Sequence, residues 1–413
     1  MNTPKLRFEG FEEDWKISKL SNFLNHIGSG VTPRGGSSVY QTEGILLIRS
    51  QNVHFAGLKL KDVAYISDEI NAKMKNSQLS DSDVLLNITG ASIGRVTIVP
   101  LDFPKANVNQ HVCILRANEY LLPYFLKTYL ESDYGQKNVF KDQAGQTREA
   151  LNLEQIKSFN IGIPCIEEQK KMTEFFSLIT QRINLQQEKI KDLEELKKGM
   201  MQKIFSQKLR FKDEDEREFP KWEKAYLNNL GTFGKSYSYS RAVEGDGIYR
   251  YIHYGDIHSN YPSVCENVEF PTITNVQQYE LLIDNDIVFA DASEDYADLG
   301  KAILIKKVNE QQVIAGLHTH KFTPNQRLNS LYFIYFTQTR VYEEFIKRMG
   351  TGVSVLGISK TNLNKLEVLL PSVQEQEKIG RIIYSLDQKI QREKDKTKIL
   401  TSHKQGFMQQ MFI

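Results

Sequence analysis

The chain has 413 residues, 40% of them hydrophobic, and its 53 basic and 51 acidic side chains leave a net charge of +2. That length exceeds one small domain and can fill two or three cores, while near-neutrality excludes a uniformly basic polyanion binder and leaves any basic surface local. Cys113, Cys165 and Cys265 are odd in number and lack metal-like spacing, so no disulfide framework is expected. No apolar run reaches the length of a membrane span, and residues 1–5 lack the apolar core of a signal peptide, so the expectation is a cytoplasmic protein without a membrane partner.

In chain order the elements arrive twice. Lys-Leu-Arg-Phe stands at 5–8 and again at 208–211, followed by Trp15 and Leu20 and then by Trp222 and Leu227. The tryptophans lie 207 apart, and so do Pro164 and Pro371, which marks a tandem duplication. Short strands with turns are predicted at 44–49, 83–87 and 94–99, with counterparts at 247–252, 286–290 and 300–305. A helix follows in each copy, at 121–134 and 331–348. The loops differ where the strands agree: residues 28–34 face 234–241, and 89–92 face 291–295, with unlike polar side chains.

Each copy then ends in a long helix, entered at Ile163-Pro164 and at Leu370-Pro371, with Ser372 and Glu375 reading as a capping box in the second. Along the first helix, Met172, Phe176, Ile179, Ile183, Ile190, Leu193, Met200 and Ile204 recur at steps of four and three, with gaps at Gln186 and Lys197. Adding 207 gives Ile379, Ile383, Leu386, Ile390, Thr397, Leu400, Phe407 and Met411, with gaps at Glu393 and Lys404. A heptad seam of about five heptads requires a partner helix; the obvious partner is the other copy, and a helix of a second chain is the alternative. Leu196, Met201 and Phe205 lie off this seam and are expected to be exposed. The architecture predicted is α+β, two mixed α/β parts joined and separated by two long helices packed as an antiparallel coiled coil with internal pseudo-twofold symmetry.

Signs of catalysis are missing. Neither residues 90–95 nor 350–352 have the lysine and hydroxyl of a phosphate-binding loop, and no Asn-Pro-Pro-Tyr run of an amino-methyltransferase occurs. The spacing of His253, His258, His318, His320 and Cys265 matches no standard metal site, so no metal is expected. What remains is a set of loop side chains able to hydrogen-bond base edges and phosphates. The first copy offers Ser29, Thr32, Arg34, Arg49, Gln51, Asn52, Ser92, Arg95, Asn109, Gln110, His111, Gln146 and Arg148. The second offers Lys235, Tyr239, Arg241, His253, Tyr254, His258, Lys301, His318, His320, Lys321, Ser354 and Lys360.

The doubled unit, the helix entries Pro-Cys-Ile-Glu-Glu-Gln (164–169) and Pro-Ser-Val-Gln-Glu-Gln (371–376), and the exits Gly-Met-Met-Gln (199–202) and Gly-Phe-Met-Gln (406–409) together resemble the specificity subunit of Type I restriction-modification enzymes. The resemblance covers nearly the whole chain. It implies target recognition domains at 1–165 and 208–372 and spacer helices at 166–207 and 373–413. By the same resemblance each domain reads one half of a bipartite site in double-stranded DNA, Glu168-Gln169 and Glu375-Gln376 open the helices, and the loops at 144–147 and 351–354 lie near DNA. The implied partners are two modification subunits, which bind S-adenosylmethionine and methylate adenine N6, and two restriction subunits, which use ATP and Mg2+. This chain is then expected to hold no cofactor and to catalyse nothing. A free-standing methyltransferase or nuclease, or a coiled-coil scaffold that does not read sequence, are the alternatives.

Overall fold

A computed structural model describes residues 3–33, 39–141, 150–308 and 311–413. The chain divides into two compact units, one comprising residues 1–189 with 393–413 and the other residues 190–392. Each division falls inside a long helix, so each unit owns a globular part and a stretch of both helices. Among the described residues no helix is long and apolar enough to cross a membrane.

In the first unit an antiparallel sheet runs Leu24–Ser29, Val112–Ala117, Val84–Asn87, Val96–Ile98. A second sheet places Ile45–Ile48 between Ala64–Ile66, antiparallel, and Ala106–Val108, parallel. All four side chains are buried in both Ile45–Ile48 and Val84–Asn87, which explains their unbroken apolar character where strict alternation would signal one wet face. Lys16–Lys19 pairs with Asn160–Ile163 and thereby returns the chain to the mouth of the first long helix.

The second unit repeats the plan. Its main sheet runs Gly231–Phe233, Thr319–Pro324, Ile287–Ala290, Ala302–Lys306, and adds Val264–Glu266 parallel to the last strand. Glu244–Ile252 pairs in parallel with Gln312–Ala315, as Ile45–Ile48 does with Ala106–Val108. The parallel partners were not foreseen from sequence, because each is joined by a long crossover and short apolar runs carry no direction.

The helices predicted at 121–134 and 331–348 each prove to be two. Pro123–Glu131 stops at Ser132, whose hydroxyl accepts from Gly135 N and caps Asp133–Phe140. Ser330–Phe336 and Arg340–Met349 are likewise separated, with Thr339 accepting from Tyr342 N. A hydroxyl side chain satisfies an orphan N–H at a helix start and so favours a break there.

The long helices span Ile166–Phe205 and Val373–Met411. In the first unit Phe175 meets Phe407 at 5.1 Å between ring centroids, Phe176 stacks on Phe412 at 5.8 Å, and Gln186 bonds Glu393. Numbers rise along one helix as they fall along the other, so the pair is antiparallel. In the second unit Lys197 Nζ meets Asp387 Oδ1 at 2.6 Å, and Ile204 shares a core with Ile379 and Ile383. Every predicted seam residue is buried or half-buried. The gaps are polar links: Gln186 Nε2 donates to Glu393, and Lys404 Nζ meets Glu131 Oε1 at 2.6 Å.

Met201 and Phe205 are not exposed as expected; both are 8% exposed, whereas Leu196 is 51% exposed. The seam does not bury them: they enter the core of the second globular part, where Phe205 lies 5.6 Å from Tyr332 and 6.0 Å from Phe336. Their counterparts 207 residues on, Met408 and Phe412, do the same in the first unit, with Phe412 ringed by Trp15, Phe125, Tyr129 and Phe176. Burying one such ring contributes roughly 2–3 kcal/mol.

Candidate nucleic-acid interface

The helix entries fix the base on which the loops stand. Arg7 makes a two-pronged ion pair with Glu168, both contacts 2.8 Å, and Arg210 does the same with Glu375 at 2.7 and 2.9 Å. Glu168 and Glu375 are fully buried, 1% and 0% exposed. Hydrogen bonding to these carboxylates raises both arginine pKa values. The next residues are clamps. Gln169 accepts from Leu122 N at 2.9 Å and donates to Tyr120 O and Pro164 O; Gln376 accepts from Asn329 N at 2.8 Å and donates to Arg327 O and Pro371 O. The predicted capping box is half realised. Ser372 Oγ accepts from Glu375 N at 3.3 Å, but the Glu375 carboxylate turns to Arg210 and to Trp222 Nε1, since a buried charge gains more from charged and indole donors.

In the first unit the polar side chains gather where Leu24–Ser29, Ile45–Ile48 and Val84–Asn87 end and Val112–Ala117 begins. Ser29 closes its strand. Thr32 donates to Gln110 Oε1, Gln110 Nε2 lies 2.9 Å from His111 Nε2, and His111 Nδ1 lies 2.6 Å from Thr89 Oγ1. Because an amide nitrogen only donates, His111 Nε2 is the acceptor and its proton sits on Nδ1, facing Thr89. Arg49 Nη2 donates to Asp62 O at 2.8 Å, beside Gln51 Nε2 at 3.5 Å from the same oxygen, and Arg49 Nε is buried without a partner among the described residues. Ser92 accepts from Asn87 Nδ2 at 3.1 Å, and Arg95, half-buried three residues further on, donates its backbone N–H to Ser92 O at 3.1 Å. Asn52 and Asn109, 1% and 8% exposed, are engaged with their own loops, Asn52 with Lys59 O and Arg49 N and Asn109 with His111 N. Arg34, Gln146, Arg148 and the loop at 144–147 lie outside the described residues.

The equivalent face of the second unit is built differently. Tyr239 lies parallel to Tyr237 and accepts from Tyr279 Oη at 3.0 Å, forming an aromatic patch where the first unit has glycine, serine and threonine. Arg241, about half exposed, pairs with Asp256 at 2.8 Å and with Glu244 at 3.4 Å, and the hydrogen bond to Asp256 raises its pKa. The Tyr254 ring touches three histidines, His253 at 4.6 Å, His258 at 5.5 Å and His318 at 5.3 Å. Burial lowers the pKa of His253 and His258, which favours the neutral form of both rings. His253 Nδ1 instead caps the short helix Tyr254–Ser259, accepting from Gly255 N.

Lys301 and Lys360 donate to His258 O at 2.5 Å and to Gly234 O at 2.6 Å, bracing their loops. Lys321 is 5% exposed and holds Leu281 O, Glu280 and Asp286, an interior role that its position mid-strand in Thr319–Pro324 enforces. Lys235 and Ser354 are exposed. Sequence reasoning passed over Asp291, whose carboxylate lies 3.1 Å from His318 Nδ1 and 3.5 Å from His320 Nε2. His320 Nε2 also donates to Ile358 O at 3.0 Å, and burial lowers its pKa. By backbone hydrogen bonding Asp291 stands where the first copy has Ile88, one residue off the pairing with Thr89 that the sequence suggests. Cys265 is buried, which pushes its thiol up to about 12. Among the described residues no group of three or more His, Cys, Asp or Glu is arranged to hold a metal ion. The two faces can therefore donate and accept hydrogen bonds and offer flat rings.

Comparison with known proteins agrees with this doubling. Residues 12–195 and 220–401 each match the model of the Type I restriction modification DNA specificity domain. The chain is 24% identical to a putative type I restriction enzyme MjaX specificity subunit of Methanocaldococcus jannaschii, over 96% of this chain and 93% of that one. It is 31% identical to the type I restriction enzyme EcoBI specificity subunit of Escherichia coli over 41% of this chain and 36% of that one. Among solved structures it resembles a Type-I restriction-modification system S subunit from M. genitalium, with a TM-score of 0.61 at 16% identity, covering 100% and 99% of the two chains. A second, from work on complex assembly and conformational transition of the type I R-M system, gives 0.57 at 16% identity over 97% and 98%. These likenesses show the fold.

Proposed function

The chain belongs to the Type I restriction-modification DNA specificity family, and on that premise we propose how it acts. It is the DNA specificity subunit of a Type I complex, each globular part reading one half of an asymmetric, bipartite site. The observation that carries this reading is a repeated frame, with the same arginine–glutamate pair and glutamine clamp at each helix entry, bearing unlike polar faces at the same strand ends. Equal faces would read equal half-sites; unlike ones specify two different sequences with an unread gap. The long helices set that gap and offer a docking surface to the modification subunits.

Two modification and two restriction subunits complete the assembly, and they bring S-adenosylmethionine, ATP and Mg2+; this chain contributes recognition and no catalytic group. Target adenine must leave the duplex to be methylated, so the task of this subunit is to grip bases and phosphates around it. The protein works in the cytoplasm, where cellular DNA and the partner subunits are found. Phosphate contacts make such binding fall with salt, whereas base contacts make it fall with sequence change.

The test is co-expression with the modification subunit followed by genome-wide mapping of N6-methyladenine. A split, asymmetric motif is expected. A symmetric or continuous motif, or methylation by the purified chain alone with S-adenosylmethionine, would overturn the reading.

A further inference from the structure

His111 and His318 lie 207 residues apart and occupy one place in the repeated frame. Ile88 N donates to His111 O at 3.0 Å, and Asp291 N donates to His318 O at the same distance. Beyond that shared contact the two rings diverge. Both nitrogens of His111 are engaged inside the first unit, one with Thr89 and the other with Gln110. His318 is held by Asp291 Oδ1 at Nδ1 and by the edge of Tyr254, and half of it is exposed.

A carboxylate only accepts, so Asp291 fixes the His318 proton on Nδ1. Nε2 points away from the carboxylate and has no partner among the described residues. His318 also adopts the left-handed backbone, with φ of 51°, whereas His111 does not. Beside it, Ile358 N donates to Asp291 O at 2.8 Å, returning a loop whose Val353 is 98% and Val355 61% exposed. Apolar side chains exposed in the loop that returns to Asp291 suit a face that a macromolecule covers.

We propose that His318, oriented by Asp291, is a specificity-determining residue of the second half-site, its Nε2 accepting from the exocyclic amine of an adenine or cytosine in the major groove. The amine edges of these bases are the donors that a neutral imidazole nitrogen can read. His111, with both nitrogens turned inward, is a structural counterpart, so the two copies use one frame position for two purposes. The inference rests on the bipartite reading given above, and Asp291 acts through His318 as a positioning residue.

The test uses the full chain co-expressed with its modification subunit, comparing wild type with H318G, H318N and D291N. Glycine and asparagine both tolerate the left-handed backbone, so folding is preserved, and a melting curve checks it. H318G and H318N should each relax one base pair of the second half-site by on the order of tenfold and leave the first half-site untouched. D291N should relax the same base pair less. A duplex whose base at that position lacks its exocyclic amine should bind wild type about tenfold more weakly and H318G no more weakly than the unmodified duplex. An unchanged motif in both His318 variants, or an even loss over both half-sites at unchanged melting temperature, overturns the proposal. Absence of any split motif in wild type overturns the bipartite reading itself, which separates the two failures.

Discussion

The ends of the long helices and the ends of the strands behave oppositely under duplication. At the helix ends the two copies share their main contacts: a buried glutamate takes the arginine of Lys-Leu-Arg-Phe, a buried glutamine clamps three backbone groups, and a phenylalanine from the other helix fills the core. At the strand ends they share only backbone contacts, with Thr89, Gln110 and His111 in one copy and Asp291, His318 and Tyr254 in the other. The lesson concerns where a duplicated chain is free to change. A group with no water to fall back on loses its full desolvation cost when its partner goes, whereas a half-exposed loop side chain exchanges one partner for solvent.

Removing the aromatic plugs should have the largest effect. Phe412→Ala should cost about 4 kcal/mol and Phe205→Ala about 3 kcal/mol, read as unfolding midpoints of the full chain, the difference following from their exposures of 1% and 8%. Equal and small losses would mean that the helix ends are ornaments on cores that stand without them.

Next in size come the buried carboxylates. Glu375→Ala should cost roughly 3 kcal/mol and Glu168→Ala somewhat less, because Glu375 also accepts from Trp222 Nε1 at 2.9 Å while Trp15 Nε1 is buried without a partner among the described residues. Denaturant midpoints of the two variants check the order, and the reverse order would show that the indole contact adds nothing.

The smallest effect is a pH dependence at the helix pair. Hydrogen bonds from Gln186 and Lys189 lower Glu393 to about 2. A carboxylate depressed in the folded state stabilises above its ordinary range near pH 4 and loses that contribution as pH falls through the folded value. The melting temperature of wild type should therefore exceed that of Glu393→Gln at pH 6, and the gap should close toward pH 2. A gap that persists at pH 2 would remove the charge from the account.

Much of this was legible in the chain. The 207-residue offset, the seam and its polar gaps followed from side-chain spacing, because a helix repeats on a fixed period and a duplication preserves it. The gaps were readable as positions but not as partners: that Lys404 reaches Glu131 and Lys197 reaches Asp387 depends on which surfaces meet. The same holds for Phe205, which lies off the seam and reads as surface until the globular core beside it is known. Among the candidate readers, residue type alone could not separate Lys321, interior and paired with Asp286, from Lys235 on the surface.

Local periodicity and internal repetition thus determined by themselves the two long helices, the doubling of the unit and the pairing of those helices, because these depend on spacings that the chain carries wherever it goes. Which polar groups turn inward and which outward followed from packing, since two histidines in the same register acquire opposite roles from neighbours on adjoining strands and loops. Hydrogen-bond partnership is a property of approach in space, and approach is set by the packed frame as a whole.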